Sequence, residues 1–284
     1  MSHIDAFIFA AGLGTRMDPL SEALPKPAWT LNGRPLLQWA GDTLRRAGRV
    51  NIACNAHHHA EVVKSIAGDI EVLEEKALLG TGEPLRRIAR RAAPEGMLVW
   101  NADVVADVPW TRLRDGHAGG AGVTWLLVPH PGGDWTALYM DLDGRVLPRG
   151  TVGPKGPYLF TGAACWGADA LGAIPENCFD VRDFLASCQC HRGVVVEPFR
   201  WLEIGTPDQL IHAASELAPD NEGRVHGCYI HPTATESRSI RRCVLGPGAL
   251  LGQGIEDSDA FWYFDGQRQV RLGLTLKPSF APRS

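Results

Sequence analysis

Ile4-Asp5-Ala6-Phe7-Ile8-Phe9-Ala10-Ala11-Gly12-Leu13-Gly14-Thr15-Arg16-Met17 opens the chain with a nearly continuous apolar run that ends in a glycine-rich turn. A strand with one wet face would alternate apolar and polar residues. The run from Ile4 to Ala11 does not, and it has the density of a parallel strand covered on both sides. Downstream, Leu36, Leu37, Ala40, Leu44 and Ala47 recur at helical spacing, with Pro35 placed to start the helix and Gly48 to stop it. The alternation then repeats. Val50 to Cys54 reads as a strand, Ala60 to Ala67 as a helix, Ile70 to Leu73 as a strand, Glu83 to Ala92 as a helix and Met97 to Trp100 as a strand. Such an order implies right-handed crossovers and an α/β fold: a doubly wound, mostly parallel, Rossmann-like sheet with ligands at the carboxyl ends of its strands. Gly122 to Val128, Ala137 to Asp141 and Tyr158 to Cys165 are expected to be further strands, and Asp208 to Leu217 the closing helix.

The turn after the first strand carries the chemistry. Without Cβ atoms at Gly12 and Gly14, backbone N–H groups can approach a polyphosphate closely, and Arg16 adds a cation beside them. The segment lacks the GxxxxGK[ST] of a Walker loop and the third glycine of a dinucleotide fingerprint. Its specificity comes from a lysine ten residues further on, Lys26, framed by Pro25 and Pro27, which restrict the backbone there. An ordinary tight turn would account for the glycines but not for that frame.

The remaining features bound the answer. At 284 residues and 45% hydrophobic content, the chain can build one sizeable domain and a smaller appendage. A net charge of -4 offers no general attraction to nucleic acid or anionic membrane, so any phosphate site must be local. Seven cysteines without a CxxC pair suggest reduced, core-filling thiols, and Cys188, Cys190 and His191 alone fall short of a zinc signature. His57, His58 and His59 are adjacent, so they do not face one site on a helix, and surface or helix-start positions are expected. No long uncharged apolar stretch is present, which together with the cysteine usage leads to an expectation of a cytoplasmic protein. After about residue 222 the texture changes: Leu245-Gly246-Pro247-Gly248-Ala249-Leu250 is echoed six residues later by Leu251-Gly252-Gln253-Gly254-Ile255. This suggests a main domain over 1–222, then a short left-handed β-helix stub over 223–284, closing with a hairpin at Asp265-Gly266.

The stretch from Phe7 to Trp39 resembles the signature of the sugar 1-phosphate nucleotidylyltransferases. The likeness continues through Glu75-Lys76-Ala77-Leu78-Leu79-Gly80-Thr81-Gly82, Asn101-Ala102-Asp103, Thr161-Gly162 and Trp201-Leu202-Glu203-Ile204-Gly205-Thr206-Pro207. Its nearest patterns are the uridylyltransferases acting on N-acetylmuramic acid 1-phosphate and the mannose 1-phosphate guanylyltransferases. The resemblance implies an enzyme that joins a nucleoside triphosphate to a sugar 1-phosphate. Ala10, Ala11, Gly12, Gly14, Thr15, Arg16, Lys26, Glu75, Gly80 and Thr81 would then bind nucleotide. Thr161, Gly162 and Lys155 would face the sugar phosphate. Arg16, Lys26 and Asp103 would carry catalysis.

Asp103 follows the Met97 to Trp100 strand, at the end where the sheet rules place ligands, and can hold Mg²⁺. The resemblance implies a second metal carboxylate at the position of Glu203, where relatives carry Asp. Glu83 and Pro84 stand where the uridylyltransferase-like pattern has glycines. The expected partners are a nucleoside triphosphate, UTP favoured by Ala10-Ala11-Gly12, and a sugar 1-phosphate. A homo-oligomer is left open, as is a GTP-dependent enzyme acting on mannose 1-phosphate. A regulatory protein that binds nucleotide sugar on the same fold is the contrasting reading, to which the Glu203 substitution points.

Overall fold

The computed structural model describes residues 3–17, 21, 24–31, 34–117, 122–187 and 191–217, and C-terminal segments at 229–230, 240–241, 244–245, 257–258, 260–264 and 268–273. Strand β1 (Ala6–Phe9) follows the opening apolar run, and its successive side chains go to opposite faces. A hairpin of β2 (Thr30–Leu31) and β3 (Arg34–Pro35) precedes helix α1 (Leu36–Arg45). Then come β4 (Ile52–Ala56), α2 (Ala60–Ile66), β5 (Glu71–Glu74), α3 (Gly82–Ile88) and β6 (Met97–Asn101), each close to its predicted span. The next elements are β7 (Val104–Ala106), α4 (Trp110–Gly116), β8 (Val123–Pro129), β9 (Leu138–Met140) and the long β10 (Lys155–Trp166). Helices α5 (Ala168–Gly172) and α6 (Val181–Ser187), strands β11 (His191–Val195) and β12 (Trp201–Glu203), and helix α7 (Pro207–Leu217) complete the main body.

The central sheet runs β11-β8-β10-β6-β1-β4-β5, with β9 on the flank of β10. Pairing is parallel from β6 through β1 and β4 to β5, and again between β8 and β11. The sheet is mostly parallel, as expected, and its exception is β10, which runs antiparallel to β6, β8 and β9. From β1 the chain passes to β4 on one side, whereas β6 lies on the other. A crevice therefore forms beyond Phe9 and Asn101, which are paired in register.

Two apolar layers cover the sheet. Ile8, Cys54 and Trp100 belong to one, with Leu37 and Leu44 of α1 and Val63 of α2. Phe7, Ala53 and Val99 belong to the other, with Leu85 and Ile88 of α3 and Leu171 of α5. The alternation of neighbouring strand residues between layers explains why these strands are almost wholly apolar, Asn55 in β4 and Asn101 at the end of β6 excepted. A third cluster joins Trp29, Leu31, Leu36, Val105, Leu202, Ile204 and Leu210, and it fixes the segments on either side of the crevice.

Cys54 and Cys165 are buried and unpaired, with thiols pushed up to about 12 by burial, as core-filling cysteines should be. Cys188 and Cys190 lie outside the described residues. In the C-terminal part, β13 (Tyr229–Ile230), β15 (Val244–Leu245) and β17 (Ala260–Phe264) pair in parallel, as do β14 (Ile240–Arg241) and β16 (Asp257–Ser258). Strand β17 also pairs antiparallel with β18 (Gln269–Gly273). Residues 246–256, which carry most of the six-residue echo, and the turn at 265–267 lie outside the described residues. Among the described residues, no helix is long and apolar enough to cross a membrane.

Candidate active site

The turn after β1 enters the crevice at the topological switch. Gly14 has φ +70°, the left-handed region that glycine tolerates without strain, and this bends the chain into a single 3₁₀ turn over Thr15–Met17. Space beside Gly12 is open. Ala10 and Ala11 are buried beneath the turn. The Ala10 amide is already engaged, donating to Asn55 Oδ1 at 2.8 Å.

Lys26 starts a 3₁₀ turn (Lys26–Ala28), with Pro25 at φ -66° and ψ 143° immediately before it. Pro27 and Ala28 are buried, and the fully buried Trp29 donates from Nε1 to the Leu24 carbonyl at 3.2 Å. The proline frame is thus anchored to the third cluster, and the Lys26 stem stands against Gly14. Lys26 Nζ donates to Asp103 Oδ2 at 3.0 Å, and both side chains are largely shielded from solvent. Asp103 sits just past β6, and the strand pair β7–β12 brings Glu203 alongside: Glu203 registers with Val104, and the Ile204 amide donates to the Asp103 carbonyl at 2.7 Å.

Arg16 is more exposed. Its guanidinium lies 3.6 Å from Glu203 Oε1, over Gly205, where an added Cβ would stand 2.8 Å from Nη2. Arg16, Lys26, Asp103 and Glu203 therefore form two opposed ion pairs beneath the glycine turn. Among the described residues no cluster of three His, Cys, Asp or Glu side chains surrounds a metal position. Two oxygen-donor side chains fit a hard cation that takes its other ligands from phosphate and water.

The expected nucleotide-recognition segment is tightly built. Glu75 is buried, and both its oxygens are taken, one by Asn55 Nδ2 at 2.8 Å and the other by the Leu79 amide at 3.1 Å. Gly80 has φ +74°, and a Cβ there would lie 2.0 Å from the Phe179 carbonyl oxygen. Thr81 donates its amide to the same carbonyl at 2.7 Å and accepts the Val181 amide on Oγ1 at 3.0 Å. Glu83 pairs with Arg86 and Arg87, and the Arg86 guanidinium holds its carboxyl down at about 2. The adjacent histidines stand at the start of α2, as expected, with His59 at its N-cap, while His57 donates to the Glu75 carbonyl at 2.8 Å and His58 to the Ser21 carbonyl at 3.0 Å.

On the other side of Asn101 a cavity of about 880 Å³ opens, with Gly80, Asn101 and Gly162 at its boundary and Trp125, Phe160 and Trp166 among its walls. Gly162 (φ +90°) lies where the β10 register shifts. Thr161 beside it is buried, its hydroxyl donating to the Leu126 carbonyl at 3.0 Å, while its carbonyl accepts Trp201 Nε1 at 2.9 Å. Of the expected sugar-side group, Gly162 alone is on the cavity wall; Thr161 faces inward and Lys155 donates to the Leu142 carbonyl at 2.7 Å on the exposed rim. Asn55 and Trp201 were missed as supports. For Asn55 the signal is a single amide in the otherwise apolar strand Ile52-Ala53-Cys54-Asn55-Ala56.

Residues 6–143 match the MobA-like NTP transferase domain. The chain is 26% identical to the mannose-1-phosphate guanylyltransferase of Mycobacterium tuberculosis, over 96% of this chain and 83% of that protein. It is 28% identical to the N-acetylmuramate alpha-1-phosphate uridylyltransferase of Neisseria meningitidis serogroup B, over 73% and 96% respectively. Among solved structures, HddC from Yersinia pseudotuberculosis complexed with GMP-PN superposes with a TM-score of 0.65 at 20% identity, covering 76% of this chain and 100% of that one. At that identity the likeness is one of fold.

Proposed function

Because the chain belongs to the sugar 1-phosphate nucleotidyltransferase family, we propose that its crevice transfers a nucleotidyl group from a nucleoside triphosphate to a sugar 1-phosphate. A phosphate oxygen of the sugar forms a bond to the α-phosphorus, the bond from that phosphorus to the bridging oxygen breaks, and pyrophosphate departs with both electrons. The nucleophile is already an anion, so no general base is required; positioning and charge cancellation supply the rate. The observation that carries this reading is the Lys26–Asp103 contact at 3.0 Å, under a glycine turn at the switch point of the sheet.

In this reading the amides around Gly12 and Gly14 cradle the triphosphate, and Arg16 offsets the charge growing on pyrophosphate. Lys26 turns from Asp103 to the phosphate under attack. Asp103, with Glu203 beside it, would hold a divalent ion. Mg²⁺ bound there would supply charge neutralisation between the two phosphate groups. Gly80 and Thr81 border the base, and Gly162 and the aromatic cavity receive the sugar. Glu75 and Thr161, whose polar atoms are engaged within the protein, act by holding these walls in place. Residues 1–222 form the catalytic unit, and the parallel pairs of β13, β15 and β17 support a short β-helix after it.

Ala10-Ala11-Gly12 supports uridine as the base. A guanylyl reading with mannose 1-phosphate is supported by the length of the match to the mycobacterial guanylyltransferase, which extends through the C-terminal region. The deciding experiment measures pyrophosphate release with Mg²⁺ from four triphosphates against several sugar 1-phosphates, repeated with Asp103→Asn. Release confined to one pairing and lost in the variant is expected. No release with any pair would leave the regulatory reading, and release undiminished in Asp103→Asn would remove the ion from Asp103.

A further inference from the structure

We propose that Asn55 is a positioning residue that ties the triphosphate turn to the 76–82 loop through Glu75, so that phosphates and base are held by one connected element. The inference rests on the transferase reading above. Asn55 lies in β4 with 2% of its surface exposed, among Ile52, Ala53, Cys54 and Ala56, all buried. An amide in such a strand is unfavourable unless both its ends are bonded. Both are. Oδ1 accepts the Ala10 amide at 2.8 Å, at the point where β1 gives way to the glycine turn, and Nδ2 donates to Glu75 Oε1 at 2.8 Å. Glu75 Oε2 then accepts the Leu79 amide at 3.1 Å. The base of Glu75 is itself pinned, its amide donating to the Ala56 carbonyl at 2.7 Å and its carbonyl accepting His57 Nδ1 at 2.8 Å.

The series has a direction. It begins at a backbone amide that can only donate and ends at another that can only donate, so the two side chains between them must offer three acceptor sites and one donor. Asn55 with Glu75 satisfies that count. The single change Asn55→Asp does not, because two carboxylates would face each other with no donor between them. Asn55→Asp combined with Glu75→Gln satisfies it again: the new carboxylate accepts from the Ala10 amide and from the new side-chain NH₂, while the carbonyl oxygen of that same side chain accepts from the Leu79 amide. The swapped pair carries the same total charge as the natural one.

The test uses full-length protein as wild type, Asn55→Asp, Glu75→Gln and the double variant. Triphosphate affinity is measured by calorimetry without sugar, KM and kcat are measured for both substrates, and amide exchange is followed over 10–17 and 76–82. Asn55→Asp should weaken triphosphate binding by about tenfold or more, the scale of one lost buried hydrogen bond beside a repelling charge, with the KM for sugar 1-phosphate within about threefold of wild type. Exchange should rise in both segments together. The double variant should restore binding and exchange to within about threefold of wild type, the limit set by imperfect replacement of bonds. A fold loss in Asn55→Asp counts in favour only if the double variant folds and binds. A double variant no better than Asn55→Asp, or an Asn55→Asp protein with unchanged affinity and exchange, overturns the inference. Wild-type protein that binds no triphosphate defeats the transferase reading, and coupled exchange changes in 10–17 and 76–82 would still decide whether the tie exists.

Discussion

The wall of the crevice that carries Gly12, Arg16, Lys26 and Asp103 is made of charges and amides on backbone that is fixed locally. The wall beyond Asn101 and Gly162 is instead a cavity of about 880 Å³ with an aromatic floor drawn from β8 and β10. A charge acts steeply with distance, so its carrier must be held by nearby constraints: prolines about Lys26, a left-handed glycine before Arg16, a buried Trp29 beneath. A cavity needs only summed shape, which side chains from distant segments provide together. On the proposed transferase reading, the difference means that the two substrates are met by unlike means, and damage to each wall should register on a different kinetic constant.

The sharpest break comes at Lys26. Lys26→Ala should lower kcat by about 10²-fold or more, as removal of one preorganised electrostatic contact does, with the melting temperature close to wild type. Steady-state kinetics and calorimetric melting check both halves of that statement. Next in size is Gly80→Ala. A Cβ at φ +74° and 2.0 Å from the Phe179 carbonyl forces the loop off the segment that leads into α6, and a loss of about 2 kcal/mol in denaturant stability is expected. Because Gly80 lines the cavity and, on the proposed reading, also borders the base, the KM values for both substrates should rise.

Phe160→Leu sharpens the comparison from the other side. It trims the aromatic floor without removing charge, so the KM for sugar 1-phosphate should rise about tenfold, the scale of modest lost apolar contact. The KM for triphosphate should stay near wild type. Equal changes in both constants would erase the distinction between the walls.

The smallest effects are titrations. Glu83 has its carboxyl held at about 2 against 4.5 when free. Its stabilisation is complete above 4.5 and is lost as pH falls toward 2, a slope that Glu83→Gln should flatten in acid melting curves. His117 moves stability in the same direction for the opposite chemical reason. Burial lowers its pKa from 6.5, so the folded state resists the proton, and acidification below 6.5 should destabilise the protein. His117→Gln should remove that part of the curve.

The same division governs what was legible in the sequence. The turn after β1, the Pro25-Lys26-Pro27 frame and Asp103 at a strand end all announce themselves, because local backbone demands leave local residue choices. The antiparallel course of β10 did not: Tyr158 to Cys165 has the same apolar density whichever way its neighbours run, and direction is set by the long connections on either side. Strands β7 and β12 are three residues each, too short for a period to show. The cavity walls escaped because Trp125, Phe160 and Gly80 meet only in three dimensions. Asn55 escaped because the strand read from the sequence stops at Cys54, which leaves the amide outside it, whereas β4 runs to Ala56; its partners Ala10 and Glu75 meet it only in three dimensions.

Arg16 resting on Gly205 has a consequence for how the protein comes into being. The guanidinium belongs to the first turn of the chain, and its seat is about 190 residues further along. During synthesis the parallel half of the sheet can assemble while that cation still has nothing to lie upon. On the proposed reading, nucleotide capture should therefore come late in a nascent chain, once the segment through Gly205 has cleared the ribosome and folded back onto the turn after β1.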